Sequence, residues 1–370
     1  MNTDRAAIIT YNEPMVIEEI TSLASAAGYH VQKTFFIKKL LHGRYGIGEG
    51  KAEILKQMKE DGLIDSVIID DKINASENYN LSNFLGCKVI DREKLVLEIF
   101  ARRATSPEAK LQVKMAELLY ELPRARELVR RKTMGEQPGM FGYGSYEVEK
   151  QYRSIRSMIN LTKKKIEKIR KRRELFRRSR ARTSFPTISL AGYTSAGKTT
   201  LFNMLTRSNQ PVSPSVFTTL STTTRRASLD GVDALLSDTV GFISRLPHYM
   251  IEAFNATLEE LSFADIVLLV VDISDDPERL SEKYSTAMTS LEELNVASDK
   301  VIAVLNKVDK LSEEEVQNRL KVLKPKLIEF AFTSAKTGQG LEDLKKMIRK
   351  KLFAHEKKEE LLTSLPAETT

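Results

Sequence analysis

Gly192-Tyr193-Thr194-Ser195-Ala196-Gly197-Lys198-Thr199-Thr200 sets two glycines, a lysine and two hydroxyls at the spacing G-x-x-x-x-G-K-[ST]. That spacing suits the binding of a nucleotide phosphate. Glycines 192 and 197 let backbone amides close around phosphate oxygens. Lys198 is placed to reach the β- and γ-phosphates and Thr199 to ligate magnesium, while the N-terminus of the following helix adds partial positive charge.

A phosphate loop does not name the base, so the downstream residues decide. Asp238-Thr239-Val240-Gly241 ends an apolar run, where Asp238 can hold magnesium through water and the Gly241 amide can sense the γ-phosphate. Asn306-Lys307-Val308-Asp309 follows the apolar run 301–305. An acceptor-only carboxylate at Asp309 matches the guanine N1–H and 2-amino donors, which adenine lacks. Lys307 would lay its aliphatic stem against the base. Thr333-Ser334-Ala335-Lys336 supplies a backbone amide near guanine O6. Together these motifs point to GTP and GDP rather than ATP.

Phe217-Thr218-Thr219-Leu220-Ser221-Thr222-Thr223-Thr224-Arg225 lies between the first two motifs, where a loop must offer magnesium a threonine when the γ-phosphate is present. Thr219 is favoured for that role, with Thr218 as the rival, so the metal set reads Thr199, Thr219 and Asp238. The catalytic set reads Lys198, Thr219 and Gly241. Phe242 stands where many GTPases carry a water-orienting glutamine, which predicts slow intrinsic hydrolysis. Arg225 and Arg226 could stabilise transition-state charge or contact RNA phosphate.

The elements that must position these residues follow from the apolar pattern. The short β-branched run 187–191 before the phosphate loop reads as a buried parallel strand, and the run from Leu201 opens a helix. Upstream, strands near 6–11, 30–35, 67–70 and 87–90 alternate with helices near 14–27, 51–60, 80–85 and 92–103, a small parallel α/β domain. Its loop Gly46–Lys51 reads either as a phosphate or RNA-backbone contact or as a turn.

From Pro107 the spacing changes. Leu111, Met115, Leu118, Leu122, Ala125 and Val129 form one helical seam, with a kink expected at Pro123. Val148, Tyr152, Ile155, Ile159, Thr162, Ile166 and Ile169 form a second, so the two helices should pair as an antiparallel hairpin. The joining loop 135–145 carries four glycines. The expected organisation is an α/β domain over 1–105, the hairpin over 106–180, a GTPase domain over 181–354 and a polar, frayed tail over 355–370.

The 370-residue chain carries a formal charge of +8. Between Lys150 and Arg182 there are fifteen Lys and Arg against Glu167 and Glu174, an excess of thirteen. The rest of the chain is therefore net acidic, and the positive field sits on the second hairpin helix. Lys163, Lys164, Lys165, Arg170, Lys171, Arg172, Arg173, Arg177 and Arg178 are the candidate RNA contacts, the alternative being a solvated face. Cys87 is the single cysteine, so no intrachain disulfide is possible and a reducing cytoplasm fits. Four scattered histidines lack metal-ligand spacing, and no apolar run reaches the length of a membrane span.

With these residues set out, the chain resembles the HflX-type GTPases of the Obg–HflX group of translation-factor-related proteins. The resemblance rests on the phosphate loop, on Phe217–Leu220 with Thr223-Thr224-Arg225, and on Asp238–Phe242. It rests as well on Asp91-Arg92, the run Ile99–Ala104, Leu111-Gln112-Val113 and Leu122-Pro123-Arg124. It implies a cytoplasmic GTPase, partly ribosome-associated and monomeric, that binds the large ribosomal subunit and its RNA in translation, ribosome rescue, splitting or biogenesis. Two departures stand out. Phe141-Gly142-Tyr143-Gly144-Ser145 replaces the family's usual Arg-Gly-Pro-Gly-Glu, and Ser195 replaces an asparagine linked to potassium in related GTPases, leaving potassium dependence open. The competing reading is a GTP-regulated binding module that controls a non-ribosomal protein or RNA partner.

Overall fold

The computed structural model describes residues 4–40, 43–135, 143–181, 185–208, 223–238, 241, 247, 249–250, 253, 260–323 and 328–364; along 128–135, 143–148, 173–174, 176–181 and 355–364 it describes backbone alone. The chain forms two compact units. One holds residues 1–171 and 246–254, the other 172–245 and 255–370.

The first unit begins with a parallel four-stranded sheet in the order β2-β1-β3-β4. Its strands are β1 (Asp4–Tyr11), β2 (Tyr29–Ile37), β3 (Ser66–Ile69) and β4 (Lys88–Asp91). The crossovers are α1 (Pro14–Ala26), α2 (Glu49–Glu60) and α3 (Ala75–Leu85), and α4 (Arg92–Arg103) follows β4. Ala7 and Ile9 of β1 join Val67 and Ile69 of β3 in one buried cluster, as alternate residues of adjacent strands must. Local chemistry sets the helix starts. Pro14 opens α1, Asn74 and Glu77 form a reciprocal capping box on α3, and Asp91 accepts from the Lys94 amide at 2.8 Å to cap α4. Tyr45 and Ile47 are buried in the same cluster and anchor the loop before α2.

Helix α5 (Pro107–Gly135) continues as one helix through Pro123, the position of the expected kink. It is held on both sides of the proline. Tyr120 donates to Asp91 at 3.0 Å, Arg124 pairs with Asp91 and donates to the Ile73 carbonyl at 3.0 Å, and Glu127 accepts from Ser76 at 2.5 Å. One lost backbone hydrogen bond is small against these anchors. Helix α6 (Tyr143–Ala181) pairs with α5 along the expected seam: Leu118, Ala125 and Ile155 cluster with Leu122, Tyr152, Met158 and Ile159. Tyr143, Gly144 and Ser145, read as loop from the sequence, are the first turn of α6; residues 136–142 lie outside the described residues. Within this unit, Met250 and Ala253 of the returning segment are buried and Tyr249 donates to Glu93 at 2.9 Å.

The second unit is a six-stranded sheet in the order β10-β9-β8-β5-β7-β6. Its strands are β5 (Thr187–Gly192), β6 (Thr223–Leu229), β7 (Val232–Asp238), β8 (Ile266–Asp272), β9 (Val301–Asn306) and β10 (Phe330–Thr333). Only β6 runs antiparallel, joined to β7 by the two-residue Asp230-Gly231 turn that tight hairpins favour. Helices α7 (Lys198–Thr206), α8 (Pro277–Glu293), α9 (Glu313–Leu323) and α10 (Leu341–Ser364) belong to the same unit. Ile188, Leu190, Phe202, Leu268, Ile302, Val304, Leu344 and Ile348 share one core. The C-terminal stretch expected to fray is helical through Ser364. Its lysines, glutamates and leucines are good helix formers. Among the described residues, no helix is long and apolar enough to cross a membrane.

Candidate functional site

Strands β5, β7, β8, β9 and β10 bring their C-terminal ends to one edge of the second sheet, the edge where open α/β sheets bind ligands. There β5 ends at Gly192 and α7 begins at Lys198, with the phosphate loop between them. Two of its residues carry backbone that only glycine adopts easily. Gly192 has φ +139°, and a Cβ there would meet the Val270 carbonyl at 2.2 Å; Gly197 has φ +99°, and a Cβ would meet the Asn306 amide at 2.3 Å. Ser195 also takes positive φ, at 63°.

Lys198 is buried and donates to the carbonyls of Gly192 at 3.1 Å and Tyr193 at 2.9 Å. Burial pushes its ammonium down to about 8, and Asp238 pulls it back up. Thr199 donates to Asp238 at 2.9 Å, which sets a hydroxyl oxygen beside a carboxylate oxygen. Gly241 lies against the same lysine: a Cβ there would be 2.8 Å from Lys198 Nζ.

Asn306 joins three loops. Its amide donates to the Ala196 carbonyl at 2.8 Å, and its oxygen accepts from the Ala335 amide at 2.9 Å and the Thr333 hydroxyl at 3.3 Å. Ser334 donates to Asp309 at 2.6 Å, fixing the carboxylate with respect to the Ser334–Ala335 turn. Lys307 adopts φ +72° and its ammonium pairs with Asp272 at the end of β8. Asp272 is not among the residues singled out from the sequence, although it is the one charged residue closing the apolar run Ile266–Val271 and sits opposite Asn306 in register. Tyr193, Lys283 and Asp275 form a second unforeseen group: the lysine lies 5.4 Å from the tyrosine ring centre and 2.7 Å from the carboxylate.

The structure therefore gathers Gly192, Lys198, Thr199, Asp238 and Gly241 at one end, and Asn306, Lys307, Asp309, Ser334 and Ala335 at the other. Thr200 lies in the first turn of α7, and Lys336 is exposed. Phe217, Thr218, Thr219, Thr239, Val240 and Phe242 lie outside the described residues. In the first unit, Lys163, Lys164, Lys165, Arg170 and Lys171 are exposed on α6, and Arg172, which begins the second unit, is exposed on the same helix. The side chains of Arg173, Arg177 and Arg178 lie outside the described residues.

A parallel sheet with a glycine loop between strand and helix, an Asp-x-x-Gly strand end and an Asn-Lys-x-Asp turn is a P-loop GTPase fold and site. Three family models match the chain in order. They are described as GTP-binding GTPase N-terminal over residues 15–101, GTP-binding GTPase Middle Region over 103–180 and 50S ribosome-binding GTPase over 187–307. GTPase HflX of Methanocaldococcus jannaschii is 44% identical over 332 residues, covering 90% of this chain and 82% of that protein. GTPase HflX of Escherichia coli is 37% identical over 344 residues, covering 91% and 79%. A crystal structure of SsGBP with GDP superposes with a TM-score of 0.57 at 28% identity, covering 94% of this chain and 98% of the other. The chain belongs to the HflX family of GTPases: it binds guanine nucleotide and hydrolyses GTP.

Proposed function

We propose that this GTPase engages the large ribosomal subunit, with the basic face of α6 gripping ribosomal RNA and the nucleotide setting when it does so. The observation that carries this reading is the exposed run of Lys163, Lys164, Lys165, Arg170, Lys171 and Arg172 on one helix of a GTPase. Such a face is suited to a dense array of phosphates. The 50S ribosome-binding description of the matching family model supports the same partner. Co-sedimentation tests it. The GTP-bound chain should pellet with large subunits, and charge reversal at Lys163–Lys165 should release it. Capture by a protein partner that survives nuclease treatment would favour the binding-module reading instead.

In the proposed site the Asp309 carboxylate reads the guanine edge, Lys307 covers the base face and a backbone amide of the 333–336 turn faces O6. The loop 192–200 cradles the phosphates. Thr199 and Asp238 offer hard oxygens 2.9 Å apart, a donor set that suits magnesium better than a softer metal. With Thr219 they would hold the ion, which supplies charge neutralisation on the phosphates when bound. Lys198 and the Gly241 amide stabilise the γ-phosphate end. With Phe242 in place of a glutamine, the chain has no side chain there to orient water, so unassisted turnover stays below about 1 s⁻¹.

A further inference from the structure

Lys307 is held in a costly backbone conformation and is tied down at its far end as well. Its φ of +72° belongs to the left-handed region that side chains other than glycine rarely enter. Its ammonium is paired with Asp272, thirty-five residues earlier in the chain. Asp272 is itself clamped. One carboxylate oxygen accepts from the Ser274 amide at 3.0 Å and the Ser274 hydroxyl at 2.6 Å, and the other faces Lys307. Strand register sets the pair: Asp272 of β8 lies opposite Asn306 of β9, and the Ile273 amide donates to the Asn306 carbonyl at 3.0 Å. The carboxylate is 14% exposed and the lysine 23%, so the pair lies at the rim of the site rather than in the core.

We propose that Asp272 is a positioning residue for the guanine nucleotide. By fixing the Lys307 ammonium it holds the four-carbon stem as a preformed apolar wall for the face of the base, beside the Asp309 carboxylate that meets its edge. This rests on the assignment of Asn306–Asp309 to the base. A lysine stem free in solution would lose its rotamer freedom on binding. One already anchored has lost it beforehand, so the gain appears in nucleotide affinity. As a part-exposed ion pair, the contact itself contributes little to the fold.

Four consequences separate this role from a structural one. Asp272→Ala should weaken GDP binding by up to about tenfold, chiefly through faster release, the scale set by ordering one long side chain. The same factor should apply to guanosine, inosine and xanthosine diphosphates, because the stem meets the face of the base and not its edge. KM for GTP should rise while kcat holds. Ser274→Ala, which loosens the clamp without removing the charge, should act in the same direction and less strongly.

The deciding experiment is a double-variant cycle read by fluorescent GDP dissociation from the full chain. The proposal requires Asp272→Ala to add nothing in a Lys307→Ala background. Fully additive losses, or a single-variant effect under twofold, overturn it. Asp309→Asn measured alongside separates the two failures. If it leaves guanine preference intact, the base assignment itself is wrong; if it shifts preference while Asp272→Ala is silent, only the positioning role is.

Discussion

The Asn306 side-chain amide donates to the Ala196 carbonyl at 2.8 Å, so the residue that opens the proposed base-recognition turn also holds the phosphate loop. Its other face accepts from the Ala335 amide at 2.9 Å. One buried side chain thereby keeps the phosphate end and the base end of the site at a fixed separation. Asn306→Ala leaves both backbone partners unmet, at about 1–3 kcal/mol each. Nucleotide affinity should fall by about a hundredfold. Calorimetric titration with GDP checks this, and a loss under threefold would remove Asn306 from the account.

Gly192 has no room for a side chain. A Cβ would sit 2.2 Å from the Val270 carbonyl on the neighbouring central strand, which cannot yield without breaking the β5–β8 pairing. Gly192→Ala should destabilise the second unit by about 2 kcal/mol or more and abolish nucleotide binding. Thermal unfolding with and without GDP would show it as a lower transition that nucleotide no longer raises.

Asp309→Asn presents an amide where the guanine edge needs an acceptor pair. Preference should move from guanine toward xanthine nucleotides, by a factor on the order of 10⁴ or more when both changes are combined. Competition of GTP against XTP for the variant reads this directly. Unchanged preference for GTP contradicts the base contact.

Asp91 is buried against Arg124 and Tyr120 while it caps α4. Burial pushes its carboxyl above the ordinary carboxylate value, and the Arg124 charge opposes the shift without cancelling it. A folded value above the unfolded one means this group contributes stability that is fully present below the unfolded value and lost as pH rises through the folded value. The Asp91 carboxyl carbon resonance should therefore titrate above about 3.9, the free carboxylate value. A midpoint below it contradicts the shift. Arg124→Met would strand the carboxylate and should cost the first unit about 3–5 kcal/mol, measurable by urea unfolding.

Much of the site was legible because phosphate and base chemistry demand particular residues close together in sequence. Lys198 and Thr199 follow Gly197 directly, and Asn306 and Asp309 share one turn. The alternating strands and helices were legible for the same local reason, although the helix expected near 80–85 begins at Ala75, where the Asn74–Glu77 capping box starts it. What the sequence hid are pairings across long separations. Asp272 meets Lys307 only because β8 and β9 lie in register. Asp91 meets Arg124 only because α5 packs back against α3 and α4, and that anchorage holds the helix together across Pro123. Tyr249 gives no sign in its own neighbourhood that it belongs with Glu93.

GTP turnover measured with and without purified large ribosomal subunits, at 50 and 200 mM salt, tests the central claim most directly. The account predicts slow turnover alone and faster turnover with subunits at low salt. That stimulation should fall steeply at high salt, since six to ten phosphate contacts would weaken binding by about 10³–10⁵ over this range. Turnover indifferent to the subunits at both salt concentrations would contradict it.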